Sequence, residues 1–296
     1  MSLENAVEDA IAQATGKRSA IRESAGVGGG CINAARRIEL EDGREFFLKS
    51  NADPLPGMFE REAEGLEALA EAAGELRVPE VIAVGGGRRG AAHFIVMEHI
   101  PTGHPAGDFF RRLGRGFALL HQESGAERFG FEHDNYIGST PQPNGWMEDW
   151  VDFYRRRRLG FQLELACQKG HADDQMMQLG RRLLDRLDEY IAQPDEPPCL
   201  LHGDLWSGNY LCDDRGRPVL IDPAVYYGRG EADLAMTRLF GGFDSEFYAA
   251  YHEVRPRRDG HQARSDLYQL YHLLNHLNLF GRSYLSGCLR ILRRYA

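Results

Sequence analysis

Strand-forming sequence is crowded into the first third of this chain and helix-forming sequence fills the rest, and this asymmetry constrains the fold most. Residues 5–14 carry a helical pattern, and Ile21 to Leu40 reads as two strands interrupted by the glycine run Gly26-Val27-Gly28-Gly29-Gly30. Asp42-Gly43 supplies a tight hairpin signal ahead of the strand-like run Glu45 to Lys49. Met58 to Ala73, rich in Glu, Ala and Leu, predicts a helix, and Val78 to Val84 with His93 to Glu98 predict two more strands across a Gly and Arg turn. Past Pro101-Thr102-Gly103 helical patterns dominate, with one short strand pair around Tyr210 to Leu211 and Val219 to Ile221. The pattern fits an α+β, two-lobed layout better than alternating βαβ units, with the division falling between residues 1–99 and 100–296.

At 296 residues, 43% hydrophobic and 27% charged, the chain has the apolar material for such a body. Its net charge of -9 argues against a broad nucleic-acid footprint, which needs clustered Lys and Arg. Arg155 to Arg158 is the densest basic run; flanked by Trp150, Phe153 and Phe161, it reads as a solvated helix face. The first residues carry no secretory or transit pattern, and no stretch is long and apolar enough to span a bilayer. Five scattered cysteines without a CxxC pair point to a reducing cytoplasm and to no zinc site.

Chemistry concentrates in Leu201-His202-Gly203-Asp204-Leu205-Trp206-Ser207-Gly208-Asn209, followed by Val219-Leu220-Ile221-Asp222. Phosphoryl transfer needs a carboxylate to orient and deprotonate the attacking hydroxyl and oxygen ligands for the magnesium ion that bridges the phosphates of ATP. The spacing from Asp204 to Asn209 matches the D-x-x-x-x-N of a kinase catalytic loop, with Asp222 where the second metal-binding carboxylate belongs. Alone, each of these would be a turn residue or a strand end. Their order, beside apolar strand-like runs, assigns Asp204 as catalytic base and Asn209 with Asp222 as metal ligands.

The N-terminal part offers an independent check. A kinase places a lysine on its third strand and a glutamate on the next helix, and Lys49 ends the run Phe46-Phe47-Leu48. Along the helix Phe59, Glu62, Leu66 and Leu69 share a face, whereas Glu60 and Glu64 point elsewhere. A glutamate on an apolar stripe needs a cationic partner, and Lys49 is the natural one. Gly28, Gly29 and Gly30, upstream of Lys49, suit a loop covering phosphates, although an ordinary hairpin turn is an equal reading. Cys31, next to them, reads either as a redox-sensitive thiol or as a small buried residue. His202 reads as an organiser of the loop, Asp233 as a helix-start carboxylate able to anchor the loop backbone, and the pair His272 and His276 as lining a core or groove.

These residues resemble the fructosamine kinase (ketosamine-3-kinase) family, related to aminoglycoside phosphotransferases and choline kinases. The resemblance rests on Gly28 to Asn33, Phe59 to Leu66, Asn135-Tyr136-Ile137-Gly138-Ser139-Thr140-Pro141-Gln142, Trp146 to Gln162 and His202 to Asn209. It implies a protein-kinase-like fold and magnesium- and ATP-dependent phosphorylation of the O3 hydroxyl of fructosamines or related ketosamines, free or on protein lysines. It further implies that the backbone of Glu98, His99 and Ile100 holds adenine, with Met97 beside it, and that Trp206 and Asn135 face the sugar. His-Gly-Asp and Asp222-Pro223-Ala224, with few residues before Asp233, leave no room for a long activation loop, so the acceptor is expected to be small. Another acceptor, such as an aminoglycoside, choline or a different sugar, and a catalytically silent ATP-binding protein both stay open at this point.

Overall fold

The computed structural model describes residues 2–28, 33–86, 93–192 and 196–296. The N-terminal part is a five-stranded antiparallel sheet in the order β1-β2-β3-β5-β4, with β1 Ile21–Gly26, β2 Ala34–Leu40, β3 Glu45–Asn51, β4 Val81–Gly85 and β5 His93–Glu98. Helix α1, Leu3–Thr15, covers one face and α2, Met58–Ala72, the other. Strand alternation decides which side chain goes where. Phe46, Leu48, Phe94 and Val96 pack with Val7 and Ile11 of α1, while Ile95 and Met97 pack with Phe59, Ala63 and Leu66 of α2. Lys49 stands opposite Ile95 in the β3–β5 ladder and so emerges on the α2 side, where the polar interruption of that helix waits.

The remainder is mainly helical: α3 Phe109–Glu123, α4 Trp150–Phe153, α5 Phe161–Gln168, α6 Asp174–Asp185, α7 Asp188–Ile191, α8 Gly230–Leu239, α9 Ser245–Val254, α10 His261–Phe280 and α11 Leu285–Tyr295. Three two-stranded ribbons lie among these helices: β6 Asn135–Ile137 with β7 Thr140–Gln142, β8 Cys199–Leu201 with β11 Tyr226–Gly228, and β9 Tyr210–Cys212 with β10 Pro218–Leu220. Only the last was expected. All three ribbons use runs of three residues, too short to show a period of two; β10 is legible only through the apolar run Val219-Leu220-Ile221 ahead of Asp222.

Arg77 ties the two parts together: its side chain reaches Glu98 at the end of β5 and Asp213 just after β9, and its backbone bonds to Pro218 and Leu220 on β10. Gly65 of α2 packs directly against Pro223 and Val225, so the helix carrying Glu62 rests on the segment that follows Asp222.

The basic run departs from its expected place. Arg158 is fully buried in a π-helical turn, Tyr154–Gly160, between α4 and α5. Its guanidinium lies 3.9 Å from the Tyr226 ring centre and 4.6 Å from that of Phe153, and donates to the Pro143 carbonyl and Asn144 Oδ1, each at 2.7 Å. Aromatic faces and carbonyl oxygens stand in for the water that a solvated helix face would supply.

Candidate active site

Two turns, Leu201 to Asn209 and Ile221 to Tyr226, run side by side because β8 pairs with β11 and β9 with β10. Asp233, in the first turn of α8, accepts the backbone N–H groups of His202 and Gly203 at 2.7 and 2.8 Å. His202 Nε2 lies 2.9 Å from the Ile221 carbonyl, which can only accept, so Nε2 carries the proton and Nδ1 is left to receive the Asp204 N–H at 3.3 Å. Burial pushes the His202 pKa down and keeps the ring neutral, as this pairing requires. Gly203 adopts φ +81, and a Cβ there would sit 1.9 Å from the Ala224 carbonyl oxygen, so the tight seam between the turns demands glycine between His202 and Asp204. Ala224 N–H to the His202 carbonyl (2.8 Å) and Ile221 N–H to the Asn209 carbonyl (3.1 Å) close the seam.

Across this seam Asn209 Nδ2 donates to the Asp204 carbonyl at 2.8 Å and to Asp204 Oδ2 at 3.2 Å, and reaches the Asp222 carbonyl at 3.4 Å. Asp222 has φ +54, the one non-glycine residue with positive φ among those described, a strain that persists only where neighbours enforce it. Burial, then the like charge of Asp222, hold the Asp204 carboxyl well above the usual carboxylate range. Asn209 spends its N–H groups on these contacts, leaving Oδ1 to join the Asp222 carboxylate as hard oxygen donors of the kind that suit magnesium.

Lys49 closes the site from the sheet side. Its ammonium lies 2.5 Å from Glu62 Oε1 and also contacts Asp222. Burial pulls the Lys49 pKa down, but Glu62 and Asp222 outweigh it and the net shift is upward, so the ammonium stays charged. Burial dominates at Glu62, whose carboxyl is raised although Lys49 opposes the shift. The structure thus brings Lys49, Glu62, Asp204, Asn209 and Asp222 to one place from both parts of the chain.

The remaining site expectations fall on both sides of the cleft. Met97 is buried under α2, and Glu98 leads into a link in which His99 and Ile100 lie outside any strand. The Glu98 N–H is taken by the Glu80 carbonyl, and its carboxylate by Arg77. Gly28 is exposed at the end of β1, whereas Gly29, Gly30 and Cys31 lie outside the described residues. Trp206 is 37% exposed, its ring edge-on to Phe240 at 6.2 Å and packed closely over Gly208. The Phe240 ring in turn lies 4.7 Å from that of His276, tilted by 52°, so the α10 histidine lines an aromatic row leading out from Trp206.

Asn135 requires a correction. It is buried, its Nδ2 donates to the Val225 carbonyl at 2.8 Å, and its Oδ1 receives both Gln142 Nε2 and Asn144 Nδ2 at 2.8 Å. Its oxygen and one of its two N–H groups are thus engaged inside the protein, and the side chain is buried away from solvent. Asn135 and Gln142, which also donates to the Ala224 carbonyl at 3.0 Å and accepts from Tyr271, form a clamp on the residues after Asp222. Sequence reasoning missed Gln142, Asn144 and Arg158 as its parts; the visible signal was a polar, proline-containing run too long for a mere connection.

Comparison with known proteins decides the family. The sequence profile of the fructosamine kinases matches residues 3–296. The chain belongs to the fructosamine kinase family. It is 44% identical to protein-ribulosamine 3-kinase, chloroplastic, of Oryza sativa subsp. japonica, over 97% of this chain and 84% of that protein. A crystal structure from Thermobifida fusca assigned to the fructosamine-3-kinases superposes with TM-score 0.86 at 35% identity, covering 98% of both chains. The streptomycin–ATP ternary complex of an aminoglycoside phosphotransferase shares the fold alone, with TM-score 0.63 at 12% identity over 99% of this chain and 97% of that one. The protein is accordingly a phosphotransferase with an alcohol acceptor on a protein-kinase-like fold, as the Asp204 to Asn209 spacing led one to expect.

Proposed function

We propose that this protein is a ketosamine kinase that transfers the γ-phosphoryl group of ATP to the O3 hydroxyl of a fructosamine, ribulosamine or related ketosamine, with Asp204 as base. The observation that carries the reading is the convergence of Asp204, Asn209 and Asp222 with the Lys49–Glu62 pair. Family membership and the ribulosamine 3-kinase name of the rice relative supply the acceptor class.

In this reading residues 1–99 form the nucleotide lobe and residues 100–296 the catalytic lobe. The backbone of Glu98, His99 and Ile100 faces adenine beside Met97, and Gly28 to Gly30 cover the phosphates. Lys49, held by Glu62, places its charge on the phosphates, while Asn209 Oδ1 and the Asp222 carboxylate would hold a magnesium ion, whose charge would offset that on the transferring group. Asp204 accepts the proton of the O3 hydroxyl as its oxygen bonds to phosphorus and the bond from phosphorus to the β–γ bridging oxygen breaks, releasing ADP. A raised carboxyl makes Asp204 a better proton acceptor than a fully solvated aspartate. Trp206 borders the sugar, and the rings beyond it, Phe240 and His276, form an aromatic and not an acidic flank, which disfavours a polycationic antibiotic as acceptor.

The test is a panel of ketosamines, an aminoglycoside and choline with magnesium-ATP, the phosphorylated carbon being identified by phosphorus NMR. Phosphorylation at O3 of a ketosamine is expected, with Asp204→Asn lowering turnover by about 10² to 10⁴-fold. Transfer only to the other acceptors, or undiminished turnover in the variant, sinks the reading.

A further inference from the structure

Behind the catalytic turn, away from the nucleotide cleft, a cavity of about 260 Å³ opens between α8, α9 and the start of α10. Its walls are basic in a chain that is acidic overall: Arg238, Arg255, Arg257 and Arg258 line it, with His252 and His261. Two carboxylates line it as well, and each has its own arginine. Glu196 Oε1 meets Arg255 at 3.1 Å and Glu231 Oε1 meets Arg264 at 3.0 Å. Arg238, Arg257 and Arg258 have no carboxylate partner among the described residues, and the nearby Asp259 is exposed and does not line the cavity. Two wall atoms, His252 Nε2 and Glu196 Oε2, are buried without any hydrogen bond, and the Glu196 side chain is only 3% exposed. His252 Nδ1 lies 3.1 Å from the Arg255 carbonyl, which can only accept, so Nδ1 carries the proton and Nε2 is left as an acceptor; the free Oε2 of the Glu196 carboxylate, paired to Arg255 through Oε1, is an acceptor too. Guanidiniums without a carboxylate partner beside unsatisfied acceptors in a small cavity are the complement of an oxyanion whose organic part carries hydroxyl groups to donate.

The cavity also touches the catalytic turn through a short relay. Tyr251 lines it and its hydroxyl lies 2.8 Å from His121 Nδ1. His121 Nε2 lies 3.2 Å from Asp233, the carboxylate that holds the backbone of His202 and Gly203. An ionised carboxylate only accepts, so Nε2 carries the proton of the neutral ring and Nδ1 accepts from Tyr251. Gly230 keeps this junction tight: a Cβ there would stand 2.7 Å from His121 Nδ1 and 2.9 Å from the Tyr251 oxygen.

We infer that this cavity is an effector site for a small phosphate monoester, and that its occupancy stiffens the catalytic turn through Tyr251, His121 and Asp233. The inference does not depend on which acceptor the enzyme phosphorylates. It is tested by calorimetric titration of the full chain with glucose 6-phosphate and with inorganic phosphate, the nucleotide cleft being filled by a non-hydrolysable ATP analogue and magnesium, with glucose as the neutral control. Glucose 6-phosphate is expected to bind at one site and glucose not at all; tighter binding of free phosphate would mark the bare anion as the ligand within the same site. Arg257→Gln with Arg258→Gln, both exposed side chains, should weaken binding about tenfold, or about 1.4 kcal/mol, and either single change about threefold. Arg290→Gln with Arg293→Gln on α11 should leave it unchanged. Amide hydrogen exchange in residues 199–209 should slow on saturation in the wild type. Absence of binding by both anions, equal binding of glucose, binding indifferent to Arg257 and Arg258, or unchanged exchange in that segment would overturn the inference.

Discussion

The two turns that meet at the active site are held by opposite means. The turn bearing Asp204 hangs on one buried carboxylate, Asp233, which takes two backbone N–H groups and a histidine. The turn bearing Asp222 is followed by residues gripped by neutral amides, Asn135 on the Val225 carbonyl and Gln142 on the Ala224 carbonyl, with Asn144 and Arg158 behind them. A charge binds donors strongly but is costly if left without them, so one side chain suffices and everything depends on it. Amides bind less strongly per bond, and several must cooperate, yet no single one is irreplaceable and none titrates.

Removing the charge should therefore do the most damage. Asp233→Ala leaves two buried N–H groups and His121 without their acceptor, and a loss of about 3–5 kcal/mol in unfolding free energy is expected. Denaturant titration measures it; a loss below that of the amide variant described next would erase the contrast between the turns. Asn135→Ala removes one donor and one doubly used acceptor, and about 1–3 kcal/mol is expected. The kinetic pattern separates a clamp from a sugar contact: a clamp lowers melting temperature and kcat together, whereas a sugar contact would raise KM for the ketosamine with stability intact.

The difference between the turns also explains what was legible in the sequence. Asp204, Asn209 and Asp222 stand out because they fall at the spacing of a kinase catalytic loop, Asp233 because it is a carboxylate at a helix start, and Lys49 and Glu62 follow from strand alternation and helix periodicity. The clamp was visible only as an unusual segment. In the sequence Asn135 reads as a sugar contact, since a buried amide and a ligand-facing amide look identical there. Arg158 reads as a solvated residue, because its burial depends on Phe153, Tyr226 and Tyr271 closing around it from three places in the chain. The sheet and its helices were read almost to their ends, whereas the three-residue ribbons, fixed by long-range pairing, were largely invisible.

Acid separates the two anchors further. Burial pushes the His121 pKa below its ordinary value, with Asp233 opposing, so on acidification the unfolded chain takes up this proton before the folded one does. Stability then falls as pH drops below about 6.5, the unfolded value, with a slope of up to about 1.4 kcal/mol per pH unit from this group. Asp233, lowered in the fold because its hydrogen bonds to His121 and the backbone outweigh the opposing effect of burial, adds a second loss that begins only below its unfolded value of 3.8. His121→Gln keeps both hydrogen-bonding roles without a titrating ring and should lessen the slope of the stability profile between pH 6.5 and 5, the other buried histidines, His202 among them, supplying the rest. Asn135→Ala should leave that slope as it is, and equal slopes in wild type and His121→Gln would show that the charged anchor does not sense pH in this range.

The smallest effect concerns Asp204, the proposed base, which sits between the anchors. Asp204 is raised by burial and by Asp222, the reverse of Asp233, so its ionisation works against folding: the cost sets in as pH rises through the unfolded carboxylate range and is complete only above the folded value. Asp204→Asn retains an oxygen for Asn209 Nδ2 and discards the disfavoured charge. It should stabilise the nucleotide-free protein at neutral pH by about 0.5–2 kcal/mol while abolishing most turnover. A melting temperature that falls in this variant would mean that Asp204 serves the turn as an anchor of the Asp233 kind. A rise, lost when magnesium and nucleotide are added to the wild type, would mean that the fold holds this carboxylate in place against its own electrostatics for the sake of the reaction.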